Sequence, residues 1–320
     1  MLSVIIPCYN HGRHVAGAVS SVLSQRGAAG TEVIVVDDGS TDDTAEVVRR
    51  LGPDVRYLRQ RNAGLSAARN AGILAAGGEF VHFLDADDWL LPGAVDRHLA
   101  AAAREPAADV FYGGWCDVDA DGRWIADVDP GPFAGDAVHR VLSSNIGVCH
   151  CFTVRRSAFA RTGLFDTSLN SVEDWDMWIR LAAAGCRYVH VPGIVGAYRR
   201  SPGSMSRNYR RMWVETKRVL RKNARHHGDC DGCRRAVRAG LAAHRRYFVE
   251  PGLWSEAEAA AAAGRPWIAI RAAFTVARLD PGSVRFAAHV ARYHISGWAK
   301  QRLMTGWCGE RSAESGRMTG

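Results

Sequence analysis

Three groups of carboxylates stand where this 320-residue chain could do chemistry: Asp37-Asp38-Gly39-Ser40 after the apolar run Val33 to Val36, Asp85-Ala86-Asp87-Asp88 after Phe80 to Leu84, and Glu173-Asp174-Trp175-Asp176. Three acids packed behind one apolar run repel each other unless something positive sits between them. Hard Mg²⁺ or Mn²⁺, which takes carboxylate and phosphate oxygens, is the natural counter-charge. The competing reading is an acidic loop capping the helix that follows Pro92. Asp37-Asp38 is weaker evidence, because acids are favoured near helix starts in any case, although a carboxylate there suits hydrogen bonds from a base or ribose. Asp174 lies beside large apolar rings and could take a proton from an alcohol; complementing the helix dipole is the commoner use of such an acid. Between the first two groups, Asn62-Ala63-Gly64-Leu65-Ser66-Ala67-Ala68-Arg69-Asn70 sets Gly64 before a helix whose second turn carries Arg69. Arg is the side chain best shaped to grip phosphate oxygens, but alone on a helix it is usually just solvated.

The elements that position these residues are legible as alternation. Short β-branched runs at Ser3 to Pro7, Glu32 to Asp37, Val55 to Leu58, Phe80 to Leu84 and Val110 to Tyr112 are separated by helical segments at Val15 to Gln25, Thr44 to Leu51, Ser66 to Ala76 and Gly93 to Ala103. Alternation of this kind predicts an α/β domain with a mostly parallel central sheet. Ligands of such sheets bind beyond the carboxyl ends of the strands, which is where the acids fall. The first strand ends in Pro7-Cys8-Tyr9-Asn10 with no G-x-G-x-x-G turn, and no P-loop signature occurs, so dehydrogenase and P-loop readings lose their main support. Further strands are predicted at Cys151 to Arg155, Arg187 to Val191 and Ile194 to Tyr198, with a hairpin turning at Asp121-Gly122. A helix is predicted from Glu173 to Ala184, stopped by Gly185. Beyond Met205 no strand signal remains. Breaks at Gly228 to Gly232, Pro251-Gly252, Gly264 to Pro266 and Pro281-Gly282 predict four or five appended helices, so the expected division is 1–205 and a helical C-terminal region, 206–320.

Composition, at 47% hydrophobic and 23% charged, is that of an ordinary soluble chain with enough length for a sizeable core. No apolar run approaches the twenty or so residues that span a bilayer, and no basic leader with a cleavage site opens the sequence. A cytoplasmic location is expected. The net charge of +8 conceals two halves: residues 1–200 hold 19 Lys+Arg against 24 Asp+Glu, and residues 201–320 hold 22 against 9. The basic tail calls for an acidic partner, either a membrane surface, nucleic acid or the first half itself. Eight irregularly spaced cysteines read as reduced thiols.

Taken in order, these segments resemble the family 2 glycosyltransferases, whose catalytic domain has the GT-A fold. The match rests on Val4-Ile5-Ile6-Pro7-Cys8-Tyr9-Asn10, Val35-Val36-Asp37-Asp38-Gly39-Ser40, Asn62 to Asn70, Leu84-Asp85-Ala86-Asp87-Asp88, and Arg155 through Leu181 with Glu173-Asp174 at its centre. It covers the first 205 residues and leaves the tail outside. The resemblance implies an inverting enzyme that moves one sugar from a nucleotide-diphosphate sugar, a UDP-sugar being the expected donor, to a hydroxyl of a glycan, a lipid-linked sugar or a small molecule. It places Pro7, Tyr9, Asn10 and Asp38 at the nucleoside, with Asp38 accepting from the base edge. Gly64 and Arg69 would approach the diphosphate, Asp85 would support from the strand end, and Asp87 and Asp88 would meet ribose and the Mn²⁺ or Mg²⁺ ion. Asp174 would be the base, with Glu173 and Trp175 beside it on the acceptor side. The chain lacks the Q-x-x-R-W motif and transmembrane helices of processive members. It also lacks the histidine that often follows a Tyr-Arg pair near the metal, since Tyr198-Arg199 runs on into Arg200-Ser201.

Two rival functions are a nucleotidyltransferase, for which a Gly-rich, Lys-bearing signature is missing, and a non-catalytic nucleotide-sugar or membrane-surface binding protein. Four features fall outside the main reading. His226, His227, Cys230 and Cys233 form a zinc-like pattern without a second pair at matching spacing. Cys149 and Cys151 alternate as if on one strand face, and His190 reads as a structural strand residue. The tail from Arg292 to Arg302, with Tyr293, Ile295, Trp298 and Leu303, suits an anionic membrane, the first domain or a second copy in a homodimer; no nucleic acid is expected.

Overall fold

A computed structural model describes residues 1–25, 30–133, 135–201, 203–224 and 230–279. The chain begins with β1 (Leu2–Cys8), α1 (Gly12–Leu23), β2 (Thr31–Asp37), α2 (Thr44–Arg50), β3 (Val55–Arg59), α3 (Leu65–Ala75), β4 (Phe80–Phe83), β5 (Trp89–Leu90) and α4 (Ala94–Arg104). A long β6 (Val110–Val118) turns into β7 (Trp124–Val128). Then come α5 (Ala137–Ser143), β8 (Phe152–Arg155), α6 (Phe159–Thr162), α7 (Glu173–Ala183) and β9 (Tyr188–Arg199). The sheet order is β3-β2-β1-β4-β8-β6-β9-β5, with β7 on the flank of β6. Strands β3, β2, β1 and β4 are parallel, and β8 enters antiparallel between β4 and β6.

Strands covered on both faces need apolar side chains on both, which is why β1 and β2 read as unbroken runs rather than as alternation. Val4, Ile5, Ile6, Val33, Ile34, Val35 and Val36 are all fully buried, each contributing about 1.5–3 kcal/mol by leaving water. Helix α3 lies close on this sheet because a side chain at Gly72 would sit 2.3 Å from the Ile5 side chain.

Two expected elements differ. The runs expected at Arg187 to Val191 and Ile194 to Tyr198 form one strand, β9 (Tyr188–Arg199), pairing with β6 in parallel, and its register slips between Tyr112 and Gly114 and again between Gly114 and Trp115. Pro192-Gly193, between the two expected runs, is a bulge inside a continuous strand. Cys149 and Cys151 are not alternating strand residues; they lie in a 3₁₀ turn before β8. Both are buried.

After β9 come α8 (Tyr209–Asn223), α9 (Asp231–His244), a π-helical turn (Arg245–Val249), α10 (Glu250–Ala262) and α11 (Pro266–Leu279). Pro251-Gly252 does not break the chain: the helix runs on from α9 through the π-helical turn into α10, and that widened turn lies just before the proline, whose N–H is missing from the helical ladder. The expected division at 205 shifts: one compact unit comprises Met1–Arg207 and Arg211–Ala243, and the second takes Asn208–Arg210 and the chain from His244. Helix α8 from Arg211 on and α9 up to Ala243 therefore belong to the first unit. The reason lies in Asp176 of α7, which is fully buried. Lys222 Nζ is 3.0 Å and Asn223 Nδ2 2.8 Å from its carboxylate, and Arg180 Nε closes the cluster at 2.8 Å. A buried carboxylate needs such partners.

Among the described residues no helix is long and apolar enough to cross a membrane. Pro281-Gly282 and the segment from Arg292 to Arg302 lie outside the described residues, as do His226 and His227.

Candidate active site

The carboxyl ends of β1, β2 and β4 converge, as a parallel sheet with this strand order requires. At the end of β1, Asn10 adopts a left-handed backbone with φ 56°, a conformation Asn tolerates. Its amide oxygen accepts from Thr41 N at 2.8 Å, and its own N–H donates to Ser40 Oγ at 2.9 Å, tying β1 to the end of β2. Tyr9 is left 46% exposed, so its ring is open to a stacking partner. Pro7 is buried within β1, where its part is backbone shape.

The two acids after β2 are both buried, and both build structure. Asp37 accepts from Ser40 N at 2.7 Å and from the Tyr57 hydroxyl at 2.5 Å. Burial pushes its carboxyl upward, but these hydrogen bonds outweigh it and hold it below the ordinary range. Asp38 accepts from Gln60 Nε2 (2.7 Å), Ala63 N (2.9 Å) and Gly64 N (2.8 Å). Rather than standing free for a base edge, it shapes the loop that enters α3. Gly64 caps α3 at φ 91°, ψ 166°, a region essentially reserved for glycine.

Arg69 departs most from expectation. Its guanidinium is not on the cleft surface for phosphate; it is buried, donating through Nη2 to Asp85 at 2.7 Å and through Nη1 to Glu173 at 2.5 Å. The Phe165 ring covers it at 5.5 Å. One planar fork on α3 thus bridges the end of β4 to the start of α7, Arg69 and Glu173 standing 104 residues apart in sequence.

Asp88, expected at the metal ion, has its carboxylate engaged by the protein itself. It is buried, with one oxygen accepting from Arg199 N at 2.7 Å and the other 3.0 Å from His150 Nδ1. Burial pushes its carboxyl up to about 6, although His150 pulls the other way. Asp85 and Asp87 are both partly exposed, but Asp85 is engaged by Arg69. Burial first and the Asp85 charge second raise its carboxyl above the ordinary range, a state that a bound cation relieves. Among the acids after β4, Asp87 therefore fits a hard divalent ion best. A cavity of about 230 Å³ beside it is lined by His14, Ser21, Asp88, Trp89 and Arg199. Arg199 stacks over Trp89 at 5.0 Å and donates through Nε to Asp87 O at 3.0 Å, bracing the turn.

Helix α7 opens without a side-chain cap, on Val172 at φ 55°. A β-branched residue there is a true outlier, costing on the order of 1–3 kcal/mol. The strain falls immediately before the two acids. Glu173 turns inward to Arg69 and Asp174 stays partly exposed, its Oδ1 accepting from Trp175 N at 2.6 Å. Burial, then the Glu173 charge, push the Asp174 carboxyl up to about 7 against the opposing pull of Arg69. Trp175, expected on the acceptor side, is 2% exposed and donates through Nε1 to Val141 O at 2.6 Å. It fixes α7 against α5 instead. Gly185, with Cys186 N donating to Leu181 O at 3.0 Å, ends the helix as predicted.

Sequence reasoning missed His150, the partner of Asp88, and His14 beside Asp87. No signal marked either one, since an isolated His on an apolar element is most often structural. His190 is paired with Asp129 at 2.7 Å.

Residues 3–163 match the model of glycosyl transferase family 2, and the chain belongs to that family. Chondroitin synthase of Escherichia coli is 30% identical over 191 residues, 58% of this chain and 27% of that protein. Hyaluronan synthase of Pasteurella multocida is 31% identical over 189 residues, again 58% of this chain but 19% of that protein. The chain thus spans about a quarter or less of these relatives' length. Among solved structures, S. aureus TarS 1-349 in complex with UDP superposes with a TM-score of 0.60 at 19% identity, covering 95% of this chain and 91% of that one. Mannosyltransferase PcManGT from Pyrobaculum calidifontis, in complex with GDP-Man and Mn²⁺, gives 0.60 at 22% identity over 94% and 86%. The fold is that of the GT-A glycosyltransferases.

Proposed function

We propose that this chain moves a single sugar from a nucleotide-diphosphate sugar, a UDP-sugar, to an acceptor hydroxyl with inversion, and that Asp174 is its base. The observation that carries this reading is the Arg69 bridge, with Asp85 at 2.7 Å and Glu173 at 2.5 Å, which draws the acids after β4 and the first turn of α7 into one cluster. Nucleotide-sugar complexes of two proteins with this fold support the donor class.

Asp174 accepts the acceptor's proton as its oxygen attacks the anomeric carbon. A carboxyl raised to about 7 is matched to that transfer near neutrality. The bond from the sugar to the diphosphate breaks in the same displacement, so attack from the opposite face inverts the centre. Tyr9 stacks on the base, and the loop held by Asp38 presents Gly64 to the donor. When bound, a Mn²⁺ or Mg²⁺ ion held by Asp87 offsets the charge gathering on the diphosphate.

Transfer from a panel of nucleotide sugars with Mn²⁺, followed by NMR of the product's anomeric centre, tests the reading. Asp174→Asn is expected to abolish transfer and keep nucleotide binding. Retained configuration, or full turnover by Asp174→Asn, refutes it.

A further inference from the structure

The Cys-x-x-Cys pair at 230 and 233 finds a third ligand from an unexpected direction. Cys230 immediately precedes α9 and Cys233 lies in its first turn, buried. Facing them is His139, one turn into α5, whose Nε2 is 3.3 Å from Cys230 Sγ. The three ligand atoms all lie within 4.8 Å of one another. Tetrahedral zinc, with bonds of about 2.0–2.3 Å, sets its nitrogen and sulfur ligands roughly 3.5–3.8 Å apart, so small side-chain rotations complete the geometry.

Two independent features prepare this cluster. On the other edge of the imidazole, Nδ1 is 3.4 Å from Asp136 Oδ2, and a carboxylate behind a histidine is the arrangement that keeps the far nitrogen unprotonated for a metal. That same Asp136 caps α5, its Oδ1 accepting from Val138 N at 2.8 Å. The helix approach is the second feature. A side chain at Gly232 would stand 2.5 Å from the His139 ring, and one at Gly240 would stand 2.3 Å from Leu142 O. Helix α9 can press against α5 only because both positions are bare. The backbone N–H and thiol of Cys233 also hold the Cys230 thiol below its ordinary value, while burial pushes Cys233 up to about 11. Metal binding overcomes the latter by deprotonating the thiol outright.

We infer that His139, Cys230 and Cys233 bind one zinc ion, with water in the fourth position, and so clamp α9 to α5. Two thiolates and an imidazole suit zinc and not the hard cation assigned to Asp87, so the two sites take different metals. Because α5 in turn holds Trp175, the clamp stands behind the helix that carries Asp174.

The full chain, purified under reducing conditions with zinc supplied, is expected to carry about one zinc per molecule by elemental analysis. Replacing zinc by cobalt is expected to produce thiolate-to-cobalt charge-transfer absorption, which carboxylate ligands cannot give. Cys230→Ser and His139→Gln should each weaken zinc retention at least about tenfold. His139→Gln keeps both thiols and alters a partly exposed ring, so it reports on binding even if the cysteine variant folds poorly. A chain with no zinc, no such absorption and two freely titrating thiols overturns the inference. So does a proteolytic peptide holding both Cys230 and Cys233 that is two hydrogens lighter by mass spectrometry, which marks a Cys230–Cys233 redox pair instead.

Discussion

Replacing Arg69 by Met removes the charge while keeping most of the side chain's volume, and so isolates what the bridge does. The guanidinium side chain is 2% exposed, Glu173 7% and Asp85 28%. Its loss strands one carboxylate in the interior and leaves a second without its counter-charge. Breaking a buried pair by removing one partner costs about 3–5 kcal/mol, a large part of the roughly 5–15 kcal/mol a domain has. At about 2–4 °C per kcal/mol for a unit of this size, the melting midpoint should fall by about 6–20 °C. Adding Glu173→Gln should restore much of the loss, because the stranded charge is gone. Urea melts on both single variants and the double variant form a cycle whose coupling is expected to exceed about 1.5 kcal/mol. Strict additivity, or a loss below about 1 kcal/mol for Arg69→Met, refutes the bridge as the tie between β4 and α7.

The pH dependence of turnover should show an acid limb near pH 7, because a base with a raised carboxyl is active only above that value; a limb near pH 4 would remove Asp174 from the role. Asp174→Asn should lower turnover by roughly 10²–10⁴-fold above pH 7, read by donor consumption, with the difference shrinking at lower pH as the wild-type base is protonated. Tyr9→Ala should weaken donor binding by about 1–3 kcal/mol in calorimetry, the worth of stacking an aromatic ring on a base; with the ring 46% exposed, the melting midpoint should barely move. Asn223→Ala should destabilise the first unit by about 1–3 kcal/mol in a urea melt, since it takes a hydrogen bond from a buried carboxylate.

Elements with strong local signals were legible in the sequence. The β1 to α4 alternation, the acids behind β2 and β4, and the glycine stop after α7 needed no tertiary information. What the sequence concealed were side-chain directions and partners far away along the chain. Arg69 reads as a phosphate-binding arginine because its partners, Asp85 and Glu173, are 16 and 104 residues off. Asp87 and Asp88 read alike, yet only a histidine 62 residues on, itself unmarked, sends one of them into the core. Two strands were expected where β9 is one, because the bulge at Pro192-Gly193 interrupts the strand pattern without ending the strand. The boundary at 205 followed the loss of strand pattern, whereas the packing boundary follows a carboxylate on α7 that requires two side chains of α8.

That demand from Asp176 limits how freely such a protein can exchange parts. An appendage grafted from another family member onto this catalytic portion would have to supply a cation and an amide where Lys222 and Asn223 reach in. A graft lacking them would leave Asp176, two residues from Asp174 on the same turn of helix, with Arg180 alone to offset its buried charge.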